Sequence, residues 1–146
     1  MTRLMKTRVL FVCLGNACRS PMAEAIARKE AGDVMEPSSA GVFPLGMICE
    51  TTRTVLEGNQ YSVEGLASKG LRDFPPHDVD LVVNMSGLAG PLTDAGYARV
   101  EHWTVADPYG ADEGTYQTIF EEIQRHVRGL AGRLREDQGV KSTRGS

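Results

Sequence analysis

Residues 9–21, Val-Leu-Phe-Val-Cys-Leu-Gly-Asn-Ala-Cys-Arg-Ser-Pro, constrain the fold more than any other stretch of this chain. The apolar run Val9 to Val12 has the character of a buried strand and stops at Cys13. Arg19, Ser20 and Pro21 follow a short loop, and Met22 to Lys29 is rich in helix formers. Pro21 suits a first helical turn, because it lacks only an N–H that the helix leaves unpaired there and its φ is already set. Gly15 and Asn16 tolerate the backbone angles of a tight turn. The segment predicts a strand, a loop and a helix start. In such a unit the loop N–H groups and those of the first helical turn can converge on one tetrahedral oxyanion.

The two ends of this loop carry complementary chemistry. Arg19 offers a planar fork that pairs with two phosphate oxygens at once. Cys13, beneath the anion, would attack phosphorus as a thiolate. A free thiol titrates near ~8.5, and a helix N-terminus with a neighbouring Arg lowers that by several units. The expected reaction is phosphate-ester hydrolysis through a cysteinyl-phosphate, with Leu14, Gly15, Asn16, Ala17, Cys18 and Ser20 lining the substrate. Ser20 is expected either to donate to Cys13 and ease departure of the thiolate, or to cap the helix. A cysteine ending a central strand is ordinarily packing. Here the joint pattern of strand, Gly-Asn loop, Arg-Ser and helical proline favours chemistry.

Strand and helix patterns alternate along the rest of the chain. The expected class is α/β: one three-layer domain over residues 1–146, with a four-stranded parallel sheet and helices on both faces. Its structured core is placed at about residues 8–135. Strands are expected at Arg8–Cys13, Met35–Ala40, Asp80–Asn84 and Arg99–Thr104. Helices are expected at Ser20–Ala31, Cys49–Glu57, Gly87–Ala95 and Glu113–Arg135. In the last, Ile119, Phe120, Ile123, Val127, Leu130 and Leu134 form a stripe of helical period, read as core. Ligands of open α/β sheets bind beyond the carboxyl ends of the strands. Cys13 lies there, and Asp107, just past the fourth strand, can reach the same edge.

Bulk properties exclude several classes. A net charge of −3 leaves no basic footprint for nucleic acid or an anionic membrane. No apolar stretch approaches the ~20 residues of a membrane span. Met1 to Arg8 is basic, but the apolar run after it is too short for a signal peptide. Three cysteines make no disulfide framework, and a reactive thiolate suits a reducing compartment, so a cytoplasmic address is expected. Cys49 is read as packing. His77, His102 and His126 lack metal-ligand spacing, so neither metal nor other cofactor is expected. Lys141 to Ser146 is polar and expected to fray.

Val12 to Glu24, with its Cys-Leu-Gly-Asn-Ala-Cys-Arg-Ser-Pro core, resembles the signature of the low-molecular-weight protein tyrosine phosphatases. Ser39-Ala40-Gly41-Val42 and Asp107-Pro108-Tyr109-Gly110 resemble that family's later landmarks, in the right order. The resemblance covers about residues 8–135. It implies a phosphorylated protein as partner, phosphotyrosine first, and inorganic phosphate or a similar oxyanion in the loop. Cys13 is then the nucleophile, Arg19 the clamp and Asp107 the general acid, although Asp-Pro is commonly a turn starter. Asn16 and Ser39 would hold the loop in shape. Phe43 and Tyr109 become candidates for the leaving-group pocket or, equally, for core. Cys18 matches the family's second loop cysteine and would pair reversibly with Cys13 on oxidation, or simply fill space.

The pattern bends in places. Ala17 stands where tyrosine phosphatases of this family carry Ile and arginine phosphatases Thr. Phe43 leans to the arginine type, one Tyr rather than two follows Asp107-Pro108, and Glu64–Leu71 lacks the usual His-Ala-Arg neighbourhood. A protein-arginine phosphatase is therefore the first alternative. An arsenate reductase would need relay cysteines around the third strand, and residues 78–98 contain none. A non-catalytic phosphate-binding module would have no need of both Cys13 and Asp107.

Overall fold

A computed structural model describes residues 6–139; the expectations for Met1 to Met5 and for Lys141 to Ser146 fall outside them. Four strands, β1 (Thr7–Cys13), β2 (Met35–Gly41), β3 (Leu81–Asn84) and β4 (Val100–His102), form one sheet in the order β2-β1-β3-β4. All three pairings are parallel, with Cys13 opposite Gly41 and Val12 opposite Asn84. The central place of β1 follows from its composition, because a strand covered on both faces must be apolar at successive positions.

Period-two alternation divides β1 between two cores. Val9, Phe11 and Cys13 pack with Met22, Ile26, Leu56, Phe120 and Ile123. These come from α1 (Arg19–Glu30), α2 (Glu50–Gly58) and α4 (Glu113–Asp137). Leu10 and Val12 face the other way, onto Ala40, Val82 and Leu92 of α3 (Gly90–Ala95). The result is the expected three-layer α/β arrangement. The stripe along α4 is buried at all six expected positions, joined by Tyr116 and Ala131. Asp112 caps that helix by accepting the Thr115 N–H at 2.9 Å.

Several boundaries differ from expectation. α1 starts at Arg19 rather than Ser20, the Met22 N–H already bonding the Cys18 carbonyl, and ends at Glu30 rather than Ala31. Cys49 caps α2 from outside, and β2 runs on to Gly41. α3 begins at Gly90, not Gly87: Asn84 Oδ1 accepts from the Ser86 N–H and hydroxyl, and Gly87 takes φ +81° in that turn. β4 is shorter than Arg99–Thr104 because it is an edge strand paired only to β3. α4 continues to Asp137. Single 3-10 turns at Leu71–Asp73 and Pro76–Asp78 were not foreseen. No helix among the described residues is long and apolar enough to cross a membrane.

Candidate active site

The loop from Cys13 to Arg19 is held open by bonds to its carbonyls. Val42, Phe43, Leu45 and Cys49 donate their N–H groups to the carbonyls of Cys13, Leu14, Gly15 and Ala17, at 2.8–3.1 Å. Ser68 Oγ adds a second bond to the Gly15 carbonyl at 3.0 Å. With the carbonyls engaged outward, the N–H groups of Leu14 to Cys18 donate to no protein acceptor among the described residues. That polarity is what an oxyanion requires.

Asn16 is the hub. It is fully buried, with φ +49°, a left-handed geometry that asparagine tolerates. Its amide donates to Ser20 Oγ at 2.8 Å and Ser39 Oγ at 3.0 Å, and its Oδ1 accepts the Lys69 N–H at 2.6 Å. The Ser39 hydroxyl donates to Glu24 Oε1 at 2.5 Å, and Glu24 is paired with Arg28. Gly41 is required here: a Cβ would stand 2.8 Å from the Asn16 nitrogen and the Gly15 carbonyl carbon. The structure thus brings Ser39 and Asn16 together behind the loop. The sequence reading missed Glu24, Ser68 and Lys69. A carboxylate set among the apolar residues Met22, Ala23, Ala25 and Ile26 was the available signal for Glu24. The segment lacking the His-Ala-Arg pattern braces the loop through Ser68 and the Lys69 backbone instead.

Cys13 Sγ is buried and lies 3.0 Å from Ser20 Oγ, and it accepts the Ser20 N–H at 3.4 Å. Arg19 is only 5 % exposed. Its Nη1 donates to the carbonyls of Met85, at 2.6 Å, and Val105, at 2.9 Å, which aim the guanidinium from behind. Nη2 faces Asp107 Oδ2 at 3.5 Å, and Nε is buried with no partner. An orphaned buried N–H beside a loop of inward donors is a costly arrangement unless an anion completes it.

A cavity of about 250 Å³ opens over these groups, lined by Cys13, Leu14, Gly15, Ala17, Cys18, Arg19, Phe43, Leu45, Asp107 and Tyr109. The structure therefore brings Cys13, Arg19 and Asp107 together. Phe43 and Tyr109 are rim residues, 67 % and 61 % exposed, which removes the alternative that they are core. Asp107 Oδ1 accepts the Tyr109 N–H at 3.1 Å, so the Asp-Pro turn also sets the position of the carboxylate. Leu45 joins the wall unforeseen. Asn16 and Ser20 do not line this cavity; they act behind it.

Cys18 takes a direction the sequence did not reveal. Its sulfur lies 3.3 Å from Cys49 Sγ and 3.5 Å from Tyr116 Oη. Burial pushes its thiol up to about 12, with the Cys49 contact acting in the same direction. Cys49, read as packing without a partner, has one.

Comparison with known proteins shows the family and the fold. The family model for low molecular weight phosphotyrosine protein phosphatase matches residues 8–140. An arsenate reductase of Bacillus licheniformis is 31% identical over 138 residues, spanning 88% of this chain and 97% of that protein. The solved low molecular weight protein tyrosine phosphatase from T. tengcongensis has 28% identity and a TM-score of 0.78, with 88% of this chain and 99% of that one covered. An arginine phosphatase from Geobacillus stearothermophilus has 26% identity and a TM-score of 0.79, with 90% and 95% covered.

Proposed function

Because this chain belongs to the low molecular weight phosphotyrosine protein phosphatase family, we propose that it hydrolyses phosphorylated protein side chains, phosphotyrosine foremost, through a cysteinyl-phosphate on Cys13. The observation that carries this is Arg19: a guanidinium buried and fixed by two carbonyls, with an unpartnered Nε, on the same cavity as the Cys13 thiol. The Arg19 fork and the loop N–H groups hold the equatorial oxygens as charge builds on them. Cys13 Sγ attacks phosphorus, the ester P–O bond breaks, and the leaving phenolate takes a proton from Asp107. Asp107, now a carboxylate, takes a proton from the incoming water. That water displaces sulfur, and Ser20 Oγ stabilises the released thiolate. The apolar wall of Leu14, Ala17, Phe43, Leu45 and Tyr109 suits an aromatic leaving group.

The test is phosphate release from a phosphotyrosine peptide and a matched phosphoarginine peptide, with Cys13→Ser as control. Turnover by the wild type alone, faster on phosphotyrosine, is expected. Faster turnover of phosphoarginine makes this a protein-arginine phosphatase. Turnover of neither by reduced protein overturns the proposal.

Arsenate reduction is a second reading, favoured by the Cys18–Cys49 contact. Taking arsenate to arsenite requires two electrons, which two thiols supply on forming a disulfide. Residues 78–98 carry no cysteine, so Cys18 and Cys49 are the thiols at hand besides Cys13. Arsenite release in the presence of a dithiol, lost in Cys49→Ser, would place the chain in that class.

A further inference from the structure

Cys18 and Cys49 are 31 positions apart, yet their sulfurs are separated by 3.3 Å. Each precedes a helix, Cys18 at the start of α1 and Cys49 at the start of α2. The two backbones are already joined, since the Cys49 N–H donates to the Ala17 carbonyl at 3.1 Å. Cys18 is buried, whereas Cys49 is half-buried and lines a separate cavity with Leu45, Met47, Glu50, Tyr109 and Tyr116. One thiol is therefore shielded and its neighbour reachable. Cys13, by contrast, is engaged by Ser20.

We propose that Cys18 and Cys49 form a reversible disulfide, a modification site beside the phosphate loop, with hydrogen peroxide as the oxidant entering at Cys49. The Cys49 thiolate attacks a peroxide oxygen, the O–O bond breaks, and hydroxide leaves, giving Cys49 sulfenic acid. The Cys18 sulfur then attacks the Cys49 sulfur. The S–O bond breaks, and the hydroxyl departs with the Cys18 proton as water. Bond formation draws the sulfurs from 3.3 Å to about 2.05 Å. That displacement is small enough for side-chain rotation within a frame already held by the Cys49–Ala17 hydrogen bond. An external dithiol reverses the step and is itself oxidised to a disulfide. Of these two thiols Cys49 reacts first, because it is half-buried and lines a separate cavity while Cys18 is buried, and burial also raises the proton affinity of Cys18. The bond ties the starts of α1 and α2 together and consumes Cys18, which can then no longer pair with Cys13. This differs from the Cys13–Cys18 pairing that the family resemblance suggested.

Peptide mapping without reduction tests this independently of any phosphatase activity. Wild type and Cys13→Ser protein are treated with hydrogen peroxide, alkylated and digested. A Cys18–Cys49 linked peptide is expected in both, absent from Cys49→Ser and from Cys49→Ala, and removed by a dithiol. The crosslink closes a long loop, so the oxidised Cys13→Ser protein should melt about 5 °C or more above its reduced form. Recovery of Cys49 as a free thiol while Cys18 is linked to Cys13 in the wild type would overturn the proposal. So would a crosslinked protein that melts lower than the reduced one.

Discussion

Cys13 Sγ and Ser20 Oγ stand 3.0 Å apart, both buried, across the mouth of a seven-residue span that also binds the serine through Asn16. A hydroxyl fixed in this way can donate to a thiolate without reorganising. The alternative that Ser20 caps α1 fails, since the cap position is Cys18 and no side chain bonds there; the Ser20 hydroxyl lies against Cys13 instead.

Ser20→Ala removes a donor that matters most when sulfur carries full negative charge. Breakdown of the cysteinyl-phosphate should slow by about 100-fold, lowering kcat and KM together and leaving kcat/KM little changed. Rapid-quench kinetics with an aryl phosphate should then show a burst of phenol followed by slow turnover. An equal loss in the burst and steady phases would contradict this role.

Gly41→Ala tests the packing of the loop against β2. The new Cβ would meet backbone atoms of Asn16 and Gly15 at 2.8 Å, and backbone cannot yield as a flexible side chain does. A destabilisation of about 1–3 kcal/mol is expected, together with weaker binding of inorganic phosphate. Calorimetry measures both on one sample. Unchanged phosphate affinity would show that the loop is not held by this contact.

Asp107→Asn keeps the size of the side chain and removes its proton. Turnover of a phosphotyrosine peptide, whose leaving group is a poor one, should fall by about 100-fold or more. Turnover of an aryl phosphate with a strongly acidic phenol should fall much less. A uniform loss across leaving groups would instead indicate a purely structural role for the Asp-Pro turn.

Glu101 offers a pH-dependent prediction away from the site. Arg133 holds its carboxyl below the usual 4.5, burial opposes this, and the Trp103 indole adds to the lowering. The pair joins β4 to α4, with Arg133 Nη2 at 2.6 Å and Trp103 Nε1 at 2.9 Å from the carboxylate. A folded pKa below the unfolded one adds stability above about pH 4.5, and that stability is lost as pH falls through the folded value. Glu101→Gln should therefore lower stability at pH 7 by an amount on the order of 1 kcal/mol after screening, read as a lower melting temperature. Near pH 3 the gap to wild type should narrow. A gap that stays constant with pH would assign the effect to packing.

The local grammar of the fold was legible in the sequence. Apolar runs marked the strands, the helical stripe marked α4, and the Cys13-to-Pro21 pattern marked the strand, loop and helix start that carry Cys13 and Arg19. Each of these depends on neighbours a few positions away, and the chain's own covalent geometry enforces them. Asp107 was placed by topology, since parallel strands deliver their carboxyl ends to one edge.

Other features depended on contacts that no local pattern records. The carbonyls that aim Arg19 come from positions 66 and 86 residues distant, at Met85 and Val105. Ser68 and Lys69 reach the loop across 53 residues. The Met85 and Val105 carbonyls and the Lys69 N–H are backbone groups with no residue-specific signature, and a lone serine hydroxyl such as that of Ser68 carries none either. The same holds for Cys18: its spacing from Cys13 suggested one partner, and the packing of α1 against α2 and α4 supplied another. The sequence by itself determined the strand, turn and helix start that place Cys13 and Arg19 at the two ends of one loop, because these elements are local. Only the tertiary structure decided how those groups are held and which thiols meet, because these depend on where separate elements pack.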